Sequence, residues 1–203
     1  YVVEQGVAAL SEFDQIVLVG NQIPIPTFSY KGKPLTKVPE GCEIRTLATV
    51  DCDILDALTR LAEKIGATEK STDRYERQTV EQPTGALSPL AIEKSITNLM
   101  PENAIVADEA LLEGFGFLAN TDGAAAHDHM LSCTGGAIGN GLPFALGASV
   151  ACPDRKVICL SGDFSMMMTN MALWSIANQN ADMCIINYNN GGSASLEMEL
   201  ARV

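Results

Sequence analysis

Three short apolar runs in the second half of the chain, each closed by a polar or glycine-rich turn, constrain the fold more than any other feature. Ala104-Ile105-Val106-Ala107 runs into Asp108, Lys156 to Leu160 runs into Ser161-Gly162-Asp163, and Met183 to Ile186 ends near Asn189-Asn190-Gly191-Gly192. Short apolar, β-branched runs without alternation read as strands buried on both faces. Helical patterns lie between them. Ser88-Pro89 supplies an N-cap and a first-turn proline, Ile92, Ile96 and Leu99 share a face, and Pro101 stops the helix. A glycine-rich stretch, Thr134 to Gly141, leads into a helix from about Leu142 to Ala151. Thr169 to Asn180 reads as another helix, with Met171, Trp174 and Ala177 on one side. Strands alternating with helices specify an α/β fold, a parallel sheet flanked by helices.

The first part of the chain is smaller. Val3 to Leu10 reads as the end of a helix and Gln15 to Val19 as a buried strand ending at Gly20. A loop through Pro24, Pro26, Pro34 and Pro39 follows, then a second strand over Cys42 to Leu47. Asp51 to Ile65 carries Ile54, Leu55, Leu58, Leu61 and Ile65 at helical spacing. Two strands and two helices make a small core, so residues 1–66 read as the end of a larger α/β domain. Residues 67–87 are polar and charged, with Pro83 and Gly85, and read as a linker; residues 88–203 form the second domain. A start at Tyr1 with no initiator Met or signal pattern suggests a chain cut from something longer.

Charge narrows the partners. The net charge of −12 repels nucleic acid and anionic membranes, so neither is an expected partner. It does not exclude a phosphorylated cofactor, because backbone N–H groups and a bound cation can hold phosphate without a basic patch. Six cysteines without a CxxC pair read as reduced, mostly buried thiols of a cytosolic-type protein. No apolar run is long enough to span a membrane. A cytoplasmic location is the expectation.

In open parallel sheets ligands bind beyond the carboxyl ends of the strands. Asp163 and Asn190 stand at two such ends, separated by a single crossover that returns the chain to the same edge of the sheet. A carboxylate and a carboxamide brought together suit a hard cation such as magnesium, which shares its shell between protein oxygens, water and phosphate. The Gly191-Gly192 turn lets a backbone carbonyl approach the same ion. Ser165, placed at the start of the following helix, adds a hydroxyl and first-turn N–H groups suited to an anion. The plainer alternatives stay open at this level: Asp163 as a helix cap and Asn189-Asn190-Gly191-Gly192 as a turn.

Gly162-Asp163-Phe164-Ser165 followed by Asn189-Asn190 resembles the GDG…NN signature of thiamine-diphosphate-dependent enzymes. Thr134-Gly135-Gly136-Ala137-Ile138-Gly139-Asn140-Gly141-Leu142-Pro143, after Cys133, matches the GG-hydrophobe-G…LP segment of that family. The nearest likeness is to the acetolactate synthase large-subunit and benzoylformate decarboxylase branch, supported by Asp108-Glu109-Ala110, Cys152-Pro153-Asp154-Arg155-Lys156 and Glu199-Leu200-Ala201-Arg202-Val203. Phe13 to Gly20 and Val38 to Cys42 resemble the end of that branch's middle domain.

The resemblance implies cofactors and roles. Asp163, Asn190 and the backbone carbonyl of Gly192 match the family's Mg2+ ligands, and Ser165 with the backbone of Phe164 its diphosphate contacts. Gly136, beside Ala137, matches the residue whose carbonyl faces the aminopyrimidine, and Ile138 the apolar wedge that bends the cofactor. Thiamine diphosphate so held supplies the nucleophilic carbon that attacks a 2-keto acid. The family's catalytic glutamate lies in an amino-terminal pyrimidine-binding domain without a counterpart here. No catalytic residue is therefore assigned, and the chain alone is expected to be inactive. Family members are homo-oligomers.

Several positions depart from the pattern. Phe164 stands where the family has glycine, and Leu111, Leu112 and Glu113 where it has Thr or Ser. Met166-Met167-Met168 replaces a stretch with a tyrosine, and Gly191 and Ser193 replace a basic and an aromatic residue. These changes support an alternative reading, a non-catalytic fragment or paralogue with weakened cofactor binding. A nicotinamide-binding domain fits less well, since Gly136 to Gly141 does not read GxGxxG and follows a loop. His127-Asp128-His129 is read as part of a loop, with an ordering role favoured over acid–base or metal chemistry.

Overall fold

The computed structural model describes residues 2–67, 76–77, 79–110, 116–121, 123–131 and 134–201, with Thr134 described in its backbone alone. Leu111, Leu112, Glu113, Cys133, Arg202, Val203 and the whole stretch 68–75, all used in the sequence reading, lie outside the described residues. The chain divides into two compact units, Tyr1–Asp73 and Arg74–Val203.

In the first unit, helix α1 (Val3–Leu10) leads to strand β1 (Gln15–Val19), which pairs in parallel with β2 (Glu43–Ala48). The register shifts by one between Leu18 and Val19. Helix α2 (Ile54–Lys64) follows; its N-cap Asp53 accepts a hydrogen bond from the Asp56 N–H, which satisfies one orphan donor of the first turn. β1 is less buried than its apolar sequence suggests: Leu18 is buried, while Val17 is half exposed.

The second unit is a four-stranded, wholly parallel sheet in the order β4-β3-β5-β6, built from β3 (Ala104–Glu109), β4 (His127–Leu131), β5 (Val157–Gly162) and β6 (Met183–Tyr188). Helix α3 (Pro89–Leu99) begins as the sequence implies: Ser88 accepts the Ala91 N–H and Pro89 occupies the first turn. Successive residues of β3 serve opposite cores. Ala104 and Val106 pack with Ile96, Met100, Phe117, Ile158 and Leu160 on one face. Ile105 and Ala107 pack with Leu142, Ala145, Val157, Cys159 and Ile176 on the other. The first face is covered by α3 and the single-turn α4 (Phe117–Asn120), the second by α5 (Gly141–Ala151) and α7 (Ala172–Asn178). Both faces being covered explains why β3 is buried throughout.

Four local expectations change. His127-Asp128-His129 are not loop residues but open strand β4, paired with β3 from Ala104↔His127 onward. The helix after Asp163, α6 (Asp163–Met168), starts at Asp163 itself, two residues before Ser165. Met171 and Trp174 lie on the solvent side of the α7 region, at 66% and 72% exposure, while the smaller Ala172 and Ile176 face the core. Of the described cysteines only Cys159 is buried; Cys52 and Cys184 are exposed. A last helix, α8 (Ala194–Leu200), follows the turn after β6. Among the described residues no helix is long and apolar enough to cross a membrane.

Candidate functional site at the strand tips

Parallel pairing brings Gly162, the last residue of β5, beside Tyr188, the last of β6. The segments leaving both strands therefore emerge side by side at the carboxyl edge of the sheet. Asp163 spans the gap between them. Its Oδ1 accepts the Phe164 N–H at 2.9 Å, and its Oδ2 accepts the Gly191 N–H at 2.9 Å. The turn after β6 is braced from within: Asn189 Oδ1 accepts the Gly191 N–H at 3.2 Å and Asn190 Oδ1 accepts the Gly192 N–H at 3.1 Å. Gly191 has φ 75°, a left-handed conformation that a side chain would strain. Asp163 is thus more than a local cap, because one of its oxygens holds a turn 28 residues away.

These residues line one cleft, with Ala110, Gly162, Asp163, Phe164 and Ser165 along one stretch and Asn190, Gly192, Ser193, Ala194 and Ser195 along the other. It is open to solvent on one side and holds about 20 Å³, room for a group the size of a water molecule. The donor set suits magnesium. Every side-chain ligand atom on offer is a hard oxygen, and a carboxylate oxygen that accepts one N–H keeps a lone pair for a cation. Among the described residues no group of three or more His, Cys, Asp and Glu could hold a metal. A cation here would therefore draw on one carboxylate, the Asn190 carboxamide, backbone carbonyls and phosphate. Ser165, Ser193 and Ser195 are among the residues that line the cleft. Ser165 is buried at its wall. Phe164 lies inside α6, and the only described non-glycine residues with positive φ are Asn103 and Asn180, so its backbone carries no left-handed strain.

The glycine-rich segment forms a 3₁₀ turn over Thr134–Gly136, in which Gly135 and Gly136 have φ of 68° and 79°. Ala137 is exposed and Ile138 partly buried. The segment then meets α6 at Gly139. The Thr169 hydroxyl donates to the Gly139 carbonyl at 2.6 Å, and a Cβ at position 139 would lie 2.7 Å from the Met168 Cβ. Glycine is required there by both its φ of 94° and the close approach. Glu109, which the sequence reading used only as part of a motif, holds this segment from below. Its Oε1 accepts the N–H groups of Gly139 at 2.5 Å and Asn140 at 3.0 Å, and its Oε2 accepts that of Gly141 at 2.8 Å. An acidic residue closing an apolar strand gives no sequence signal of this kind.

A second buried polar group lies on the other face of the sheet. Asp108 pairs with His129 and accepts the Ala110 N–H. Glu93 accepts from Asn120 Nδ2 at 2.5 Å. Burial raises the Glu93 carboxyl above its ordinary range; the Asn120 hydrogen bond opposes this and the Asp108 charge adds to it. Burial likewise pushes up the Tyr188 phenol, helped by the charges of Glu93 and Asp108. The neighbouring residue Asp128 is paired with Arg155. His129 thus braces β4 against β3, while His127 Nδ1 meets the Ala125 carbonyl at 2.8 Å.

Residues 118–201 match the family described as "Thiamine pyrophosphate enzyme, C-terminal TPP binding domain". Over 204 aligned residues the chain is 41% identical to a Mycobacterium tuberculosis protein provisionally named acetolactate synthase large subunit IlvX; the match takes in 100% of this chain and 39% of that protein. It is 32% identical over 112 residues to a benzoylformate decarboxylase of Pseudomonas aeruginosa, covering 55% of this chain and 21% of the relative. A solved thiamine diphosphate-dependent 4-hydroxybenzoylformate decarboxylase from Rhodococcus jostii shares the fold, with a TM-score of 0.67 at 24% identity, over 93% of this chain and 38% of that one. The chain spans well under half the length of these relatives. It belongs to the thiamine-diphosphate-dependent enzyme family, with relatives in the acetolactate synthase and benzoylformate decarboxylase branch.

Proposed function

We propose that this chain binds thiamine diphosphate through Mg2+ at the cleft between Asp163 and Asn190, as part of a 2-keto-acid lyase or transferase. The observation that supports it is the 2.9 Å hydrogen bond from the Gly191 N–H to Asp163 Oδ2, which joins the two strand tips around an ion-sized cleft. Asp163, Asn190 and the Gly192 carbonyl would hold the metal. Ser165 and the backbone of Phe164 would meet the diphosphate, and Gly136, Ala137 and Ile138 the aminopyrimidine side. The bound cofactor would supply the nucleophilic carbon for attack on the keto group. The work of this chain's own residues is to bind and orient. Residues 1–66 are read as the end of a middle domain, 67–87 as a linker and 88–203 as the cofactor domain. The complete protein is read as a cytoplasmic homo-oligomer acting on a small 2-keto acid, with this chain alone inactive.

Phe164 favours a second reading, because a phenyl group lines the cleft where the family has glycine. In that reading the chain folds but holds the cofactor weakly and catalyses nothing. Calorimetric titration with thiamine diphosphate, with and without Mg2+, separates the two. Metal-dependent binding that Asp163→Ala weakens at least about tenfold supports the first. No binding by the wild-type chain supports the second.

A further inference from the structure

We infer that Glu109 is a positioning residue for the cofactor: its carboxylate fixes the glycine-rich loop that would carry Gly136, Ala137 and Ile138 against the aminopyrimidine. Three consecutive backbone N–H groups, of Gly139, Asn140 and Gly141, converge on its two oxygens at 2.5, 3.0 and 2.8 Å. Glu109 is 1% exposed, the terminal residue of β3 in the centre of the sheet. Burying a carboxylate is costly unless hydrogen bonds compensate, and hydrogen bonds to a charged acceptor are stronger than those to a neutral one. The carboxylate is therefore bound to this loop conformation. Any rearrangement of residues 139–141 would leave a buried anion short of donors.

The clamp also determines what surrounds it. Gly141 is the first residue of α5, and a Cβ there would lie 2.7 Å from Glu109 Oε2, so the loop runs as close to the carboxylate as backbone permits. Gly139 is held on both sides, its N–H by Glu109 and its carbonyl by Thr169 next to α6. Through this one residue the aminopyrimidine loop is tied to the helix that starts at Asp163. Glu109 thereby sets the spacing between the two halves of the site. This role rests on the reading of the loop as a cofactor contact.

Backbone hydrogen exchange of the whole chain, together with thiamine diphosphate titration in Mg2+, tests the inference on the wild type and Glu109→Gln. The glutamine keeps the shape but turns an amide N–H₂ toward one of the donors. In the wild type the amides of Gly139, Asn140 and Gly141 should exchange slowly. In the variant they should exchange about tenfold faster while the β5 amides stay protected, and cofactor affinity should fall about tenfold. Fast exchange at these three amides in the wild type overturns the clamp even if the variant fails to fold. Unchanged local exchange in a folded variant, or a loss spread evenly over the sheet, overturns it as well. Local exchange changes in a folded variant whose cofactor affinity is unaltered leave a loop brace with no bearing on the cofactor, which defeats the inference. A wild-type chain that does not bind thiamine diphosphate sinks the functional reading instead, while the exchange data still decide the clamp.

Discussion

Asp108 and His129 meet across the β3–β4 pair, Oδ2 to Nε2 at 2.9 Å, with side chains only 5% and 12% exposed. Asp108 keeps the Ala110 N–H as a further donor, but His129 supplies its cross-strand partner. His129 also packs against Phe117, with ring centroids 5.4 Å apart. Replacing it by leucine should destabilise the second unit by about 1–3 kcal/mol, since a buried carboxylate loses a donor. Urea denaturation followed by circular dichroism would show this. An unchanged midpoint would mean that water takes the place of the imidazole.

Phe164→Gly restores the family residue at the mouth of the cleft. Glycine in the short α6 should cost about 1 kcal/mol of stability, because it adds backbone entropy to the unfolded chain. If the phenyl group is what limits phosphate entry, affinity for thiamine diphosphate in Mg2+ should rise in spite of that cost. Equal or weaker binding by calorimetry would show that the ring is accommodated.

Glu93 ties stability to pH. Its folded carboxyl is raised above 4.5, chiefly by burial, so the folded chain holds the proton more tightly than the unfolded one. The associated stability is fully present below the unfolded value and is lost as pH rises through the folded value. Glu93→Gln keeps an acceptor for Asn120 and removes the charge. The variant should melt at a higher temperature than the wild type at pH 7, and the difference should close as pH falls toward 4. Parallel melting curves across that range would refute the assignment.

The thiols should divide by exposure. The Cys159 thiol is pushed up to about 12, by burial first and then by the charges of Glu109 and Asp108, and it lies wholly inside the sheet. Thiolate is the reactive form. Site-resolved mass spectrometry after brief alkylation at pH 8 should find Cys52 and Cys184 modified and Cys159 modified only in denaturant. Rapid native labelling of Cys159 would indicate frequent opening of β5.

Sequence patterning reached much of this architecture because burial and periodicity agree over Ala104–Glu109, Val157–Gly162 and Pro89–Leu99. It failed where they separate. His127–Leu131 has no β-branched residue and begins with three polar ones, and its edge position leaves much of it in solvent, so nothing in its composition marks a strand. Spacing alone allows Met171, Trp174 and Ala177 to share a helical face, but it does not say which face is inward; Ala172 and Ile176, four apart, are the residues buried against the sheet. Asp163 and Asn190 were legible because strand tips are predictable from strand runs. Glu109 was not, because its donors are backbone groups thirty or more residues away and leave no trace in side-chain chemistry.

Both sheets are parallel throughout, and this governs the order in which the chain can assemble. No strand can pair with its neighbour by a tight reversal; partners such as Ile105 and Val157 are about fifty positions apart, and loops of that length close slowly. Val157 and Met183 are separated by about half as many, so the β5–β6 crossover that brings Asp163 to Gly191 can form early. Glu109 and the N–H groups it gathers are 30 to 32 positions apart, so their clamp closes a loop of nearly the same length. Both closures can precede the longer β3–β5 pairing, so the two halves of the candidate site can form before the sheet that joins them is complete.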